Sequence, residues 1–177
     1  MHLRRPASIP GLPSTRRALD PRRCNIAVDA NALDRDGTAA DGFVDRFQEL
    51  SREGKINIVV AGGVRGEVLH PRTPRDVQAA IIAQIFNLRP GLNVQQQNQR
   101  ARICIIMQGN ARPGAHRADA SHLSEAAETG CSYFITYDRR ILGKRDELHR
   151  ALPPTLTIVT LAELLEIFDD FEAGRRI

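Results

Sequence analysis

The chain of 177 residues has no tryptophan, only two tyrosines and six phenylalanines, and just three cysteines. So few rings leave little material for recognition by aromatic stacking. Cys24, Cys104 and Cys131 are odd in number and far apart, with no CxxC pair and no histidine at zinc spacing, which argues against both a disulfide framework and a structural zinc site. Reduced thiols in a cytoplasmic protein are expected. No apolar run approaches the roughly 18–20 residues of a membrane span, and the N-terminus lacks the apolar centre of a secretory signal, so no membrane partner is expected. Its arginines imitate a transit peptide in composition, but four prolines oppose the amphipathic helix that such a peptide needs. Lysine occurs only at Lys55 and Lys144, so nearly all positive charge is guanidinium.

The charge that is present lies mostly at one end. Of 25 basic and 21 acidic side chains, residues 1–23 hold six arginines and one acid, Asp20, which leaves a nearly neutral body. With Pro6, Pro10, Pro13 and Pro21 and no clear period, these residues read as a flexible basic arm, followed by a single domain over residues 24–177.

Within that domain, apolar runs alternate with amphipathic ones. Asn25-Ile26-Ala27-Val28 reads as a strand, and Phe43, Phe47 and Leu50 place a helix over residues 41–52 that stops before Gly54. Residues 56–60 read as a second strand. Thr73-Pro74-Arg75-Asp76 has the cap, proline and acid of a helix start, continued by the stripe Val77, Ile81, Ile85 and Leu88. A helix grading from Gln95 into Ile103, Ile105, Ile106 and Met107, its later turns expected to be buried, precedes a loop over residues 109–117. Another carries Asp119, Leu123, Ala126 and Ala127 on one face. Tyr133-Phe134-Ile135-Thr136-Tyr137-Asp138 reads as a strand ending on an acid. After a short helix at Ile141 and Leu142, a last strand at residues 156–159 meets the capping box of Thr160 and Glu163 and a final helix. The pattern predicts an α/β fold with a mainly parallel central sheet of four to five strands flanked by helices.

In such a sheet, ligands bind at the carboxyl ends of the strands. Asp29, Asp119 and Asp138 are delivered to that edge from distant parts of the chain, and Glu67 follows the second strand. Converging carboxylates call for a proton or a hard cation, and oxygen-only ligands suit Mg²⁺ or Mn²⁺. Each acid also has a plain reading. Asp29 and Asp138 can be turn or cap residues, Asp119 a first-turn acid on a helix dipole, and Glu67 a solvated helix residue.

Four segments together resemble the PIN-domain ribonucleases, the family that includes the VapC-type toxins. They are Val28-Asp29-Ala30-Asn31, Gly66-Glu67-Val68, Arg117-Ala118-Asp119-Ala120-Ser121-His122-Leu123 and Phe134-Ile135-Thr136-Tyr137-Asp138. The resemblance implies a PIN-like fold, with Asp29, Glu67, Asp119 and Asp138 as catalytic and metal residues around Mg²⁺ or Mn²⁺. It implies a metal-dependent endoribonuclease acting on RNA, single-stranded or looped, and for the toxin subgroup an antitoxin protein partner. A homodimer is a further expectation. Asn31, Thr136, Arg117 and Arg139 are candidate substrate contacts, although Asn31 can be an Asx-turn residue, Thr136 an ordinary strand residue and the arginines solvated. His122, three residues after Asp119, reads as a packing histidine. Two rival functions stay open: a PIN-like module that binds RNA or protein without cutting, and a phosphohydrolase with Asp29 as nucleophile.

Overall fold

The computed structural model describes residues 16–35, 37–38, 40–59 and 91–175. Glu67, the helix expected after Thr73 and residues 1–15 of the expected arm lie outside the described residues. Numbered over those described, the strands are β1 (Asn25–Val28), β2 (Asn57–Val59), β3 (Tyr133–Ile135) and β4 (Thr157–Val159). The helices are α1 (Asp41–Arg52), α2 (Val94–Gln108), α3 (Arg117–Glu128), α4 (Arg139–Gly143), α5 (Arg145–Ala151) and α6 (Leu161–Glu172), with 3₁₀ turns at Pro21–Arg23 and Ala30–Leu33.

All four strands are parallel, in the order β2-β1-β3-β4. Short strands covered on both faces must be apolar throughout, and β1, β3 and β4 are nearly so. Successive side chains point to opposite faces, which divides the core in two. Ile26, Val28, Tyr133, Ile135 and Val159 pack with Val44, Phe47 and Leu50 of α1 and with Leu164, Leu165 and Phe168 of α6. On the other face Ala27, Phe134 and Ile158 meet Ile103 and Met107 of α2, Leu123 and Ala126 of α3, and Ile141 and Leu148 of α4 and α5. The result is a helix, sheet and helix sandwich.

Local signals place the helix ends. Thr160 and Glu163 form the expected capping box at α6. Asn93 and Gln96 form a second one at α2, which the polar sequence there had concealed. Gly54 and Gly130 turn the chain in the left-handed region after α1 and α3.

Residues 16–23, read from sequence as the end of a flexible arm, are packed against the body. Ala18 is buried in the α1–α6 core. The Arg16 guanidinium donates to the carbonyls of Pro153 (2.8 Å) and Leu152 (3.3 Å), and also to those of His149 and Leu156. These are the carbonyls that the end of α5 and the turn after it leave without helical donors. The Leu19 N–H donates to the Tyr133 hydroxyl at 2.9 Å, and that hydroxyl donates back to the Leu19 carbonyl. Counting arginines had hidden this, because Arg16 acts here as a multiple donor within the fold.

Candidate functional site

With strand order β2-β1-β3-β4, the connection after β1 runs to one side of the sheet and the later strands fall on the other. The order reverses between β1 and β3. A crevice at the carboxyl ends of two such strands is where parallel sheets bind ligands.

Asp29 follows β1 at that point. Its N–H continues the ladder to the Ile135 carbonyl at 2.9 Å, and its own carbonyl starts the 3₁₀ turn by accepting from Ala32 N–H at 3.0 Å. The residue is only 8 % exposed. A carboxylate that deep needs donors. Fully buried Thr136, just past β3, donates its hydroxyl to Asp29 Oδ2 at 2.8 Å. The same hydroxyl oxygen accepts the Asp138 N–H at 3.0 Å. His122 of α3, also buried, holds Nδ1 3.7 Å from Asp29 Oδ1.

Asn31 Oδ1 accepts the Tyr137 N–H at 3.0 Å and lies 3.4 Å from the Thr136 hydroxyl, so its amide ties the turn after β1 to the segment after β3. Asp138 is the N-cap of α4, with Oδ1 accepting from Arg140 N–H at 2.7 Å and Ile141 N–H at 2.9 Å. Asp119 sits in the first turn of α3 with its side chain 35 % exposed and Oδ2 3.5 Å from His116 Nδ1. His116 precedes the helix in the left-handed conformation, φ 59°. Residues three apart on a helix are neighbours, so Asp119 stands beside His122, which reaches Asp29. Arg117 and Arg139 are exposed first residues of α3 and α4.

The structure therefore joins Asp29, Asn31, Thr136 and Asp138 through hydrogen bonds and adds His122. Asp119 is placed one helical turn away, and Glu67 lies outside the described residues. Sequence reasoning took His122 for packing and treated Thr136 as a possible strand residue. The signal for His122 was present in its spacing from Asp119; for Thr136 it was the polar residue ending an apolar strand.

Donor chemistry at this edge is hard oxygen, carboxylate and amide, of the kind that suits Mg²⁺ or Mn²⁺ rather than zinc. Among the described residues, no group of three or more His, Cys, Asp or Glu side chains stands close enough together to hold a metal ion. No helix among them is long and apolar enough to cross a membrane.

Fold and site define a parallel α/β protein with acids at its switch point. Comparison of the chain with protein-family models, curated proteins and solved structures gives no match.

Proposed function

We propose that this chain is a Mg²⁺- or Mn²⁺-dependent endoribonuclease of the PIN-domain type. The observation that carries the reading is the buried Asp29 carboxylate at the β1–β3 switch point, linked through one threonine hydroxyl to Asp138. Separate turn formers or caps would not need to be joined through one buried hydroxyl that donates to the Asp29 carboxylate and accepts the Asp138 N–H. Asp29, Asp119 and Asp138, with Glu67, are the residues that would hold the ion. When bound there, it supplies an acidified water and charge stabilisation at phosphorus. Thr136 fixes the Asp29 carboxylate and the Asp138 backbone relative to each other. Arg117 and Arg139 contact phosphates of a single-stranded or looped RNA, whose unpaired bases are accessible. A neighbouring reading frame for a small DNA-binding protein would identify an antitoxin partner and hence the toxin subgroup.

The test is Mn²⁺ titration by calorimetry together with cleavage of an end-labelled single-stranded RNA. The expected result is metal binding and metal-dependent cutting, both lost in Asp29→Asn and Asp119→Asn with the circular dichroism spectrum unchanged. Glu67→Gln is expected to be milder, since its segment is the weakest match. Wild-type rates in Asp119→Asn would remove that residue from the site. Metal binding without cleavage of any RNA would point to a non-catalytic module.

A further inference from the structure

Residues 16–19 are tied down on one side only. Toward α5, the Arg16 guanidinium donates to the carbonyls of His149, Leu152, Pro153 and Leu156, and Leu19 shares two hydrogen bonds with the Tyr133 hydroxyl. Toward the end of α6, a cleft of about 350 Å³ is lined by Arg17, Leu19 and Asp20 on one side and by Phe171, Gly174 and Arg175 on the other. Ala18 is the single buried residue of the four. From Asp20 onward the chain is anchored again, because Asp20 caps the 3₁₀ turn through the Arg22 N–H and Pro21 is buried. A stretch with few buried apolar contacts belongs to the part of a fold that opens at lowest cost.

The same stretch helps to close an edge of the sheet. β4 is an end strand of the described sheet, and the free N–H and C=O groups of an edge need cover. The Ile158 N–H is taken by His149 Nε2 at 3.0 Å, and the Leu156 carbonyl by Arg16. Arg145 Nη1 lies 3.5 Å from the Ile158 carbonyl and holds Glu163 of α6 at 2.9 Å. Buried His149 thus stands between residue 16 and the strand. Among the described residues, the charged groups facing its ring are Arg16, and Arg145 and Asp146 from the start of α5; β4 carries none. A proton taken up on Nε2 would remove the acceptor from Ile158 and set a third cation beside two guanidinium groups.

We propose that residues 16–19 form an acid-released strap: protonation of His149 drives them off α5 and the β4 edge as a unit, hinged at Asp20 and Pro21, while the sheet stays folded. Opening takes Arg16 away from the ring and admits water, so His149 charges readily in the open form and poorly in the closed one. At neutral pH the open form is a minor population. Proton uptake also returns Arg16 to solvent, which couples pH to the number of free arginines at this end of the chain. The strap lies at the amino ends of β3 and β4, opposite the edge that carries Asp29 and Asp138, and so does not depend on the nuclease reading.

Hydrogen exchange of the full chain, followed by NMR from pH 7.5 to 5.5 and corrected for the intrinsic rate, tests it. The reporters are the Leu19 amide, bonded to Tyr133, and the Ile158 amide, bonded to His149; the amides of β3, paired on both sides, report the sheet. The expected result is a rise of roughly tenfold in the opening of Leu19 and Ile158 across that interval, because only the open ring takes up the proton there, with β3 protection unchanged. His149→Gln should abolish the rise. Arg16→Met should open Leu19 at least tenfold already at pH 7.5, which decides the matter even if His149→Gln does not fold. Equal loss of protection in Leu19 and β3 would mean global unfolding and overturns the strap. So do a Leu19 opening indifferent to pH, a rise that survives His149→Gln, and an Arg16→Met protein as protected at Leu19 as wild type.

Discussion

Thr136 shows how one side chain sets the candidate site. Its hydroxyl is at once a donor to Asp29 Oδ2 and an acceptor from Asp138 N–H, in a position with no solvent access. Thr136→Val keeps the shape and removes both bonds, leaving a buried carboxylate without that donor and a backbone N–H without that acceptor. Hydrogen bonds to charged groups are worth about 1.5–3 kcal/mol, so a destabilisation of about 2 kcal/mol is expected. It should appear as a lower urea midpoint at constant slope, whereas Thr136→Ser should restore most of it. A midpoint unchanged in Thr136→Val would mean that the hydroxyl is not what holds Asp29. Asp29 and Asp138 were legible in the sequence because each ends an apolar run, and Asp119 because it heads the apolar stripe of a helix. Their linkage was not, because Thr136 and Asp29 are 107 residues apart and no local period reports such a contact.

At the scale of elements, alternation of apolar runs gave the four strands and every described helix but α5, including the bounds of α1 and the capping box of α6; α5, with only Leu148 and His149 buried, shows too short a stripe to be read. It gave less where the chain lacks a period. Residues 16–23 have none, and their fixation depends on carbonyls around residue 150 that only the assembled fold presents. Arg16 and Arg22 are both engaged within the fold, Arg22 with Asp20 at 2.8 Å. Fewer of the six arginines are therefore available to phosphates than their number suggests. Removing residues 1–15 keeps the Arg16 contacts and the Leu19–Tyr133 pair; removing residues 1–23 takes both away and leaves the Tyr133 hydroxyl buried without that partner. Melting of the two truncated proteins should differ by several degrees, with the longer deletion the less stable, since each buried polar group left unpaired costs about 1–3 kcal/mol. Arg16→Met in the full chain should reproduce much of that loss. Equal melting of both deletions would show that the packed segment contributes nothing to stability.

For the whole molecule, the junction of that segment with α5 and β4 makes stability depend on pH through His149. This buried histidine accepts the Ile158 N–H on Nε2 at 3.0 Å, so its proton sits on Nδ1, which has no partner among the described residues. Burial is the main cause that pushes its pKa down from 6.5 to about 4, the Arg16 and Arg145 guanidinium groups add to it, and Asp146 opposes it. Charging the ring would cost the bond to β4 as well. Above about pH 6.5 the ring is neutral in both folded and unfolded chains, and its full contribution is present. Between about 6.5 and 4 only the unfolded chain takes up the proton, so stability falls as the pH falls; below about 4 both states are charged and this loss levels off. At about 1.4 kcal/mol per pH unit, the drop across that window is of order 3 kcal/mol. His149→Gln offers an oxygen near the position of Nε2 and does not titrate. It should be less stable than wild type at neutral pH, with the gap between the two urea midpoints closing steadily toward pH 4.5. Parallel midpoint curves would rule out His149 as the source of the acid sensitivity and would shift the cause to the ion-paired carboxylates Asp20 and Asp169, whose pKa values are held low by Arg22 and Arg46. Those groups lose their contribution only at lower pH, as their depressed pKa values are approached, so the pH at which the midpoint begins to fall separates the two causes.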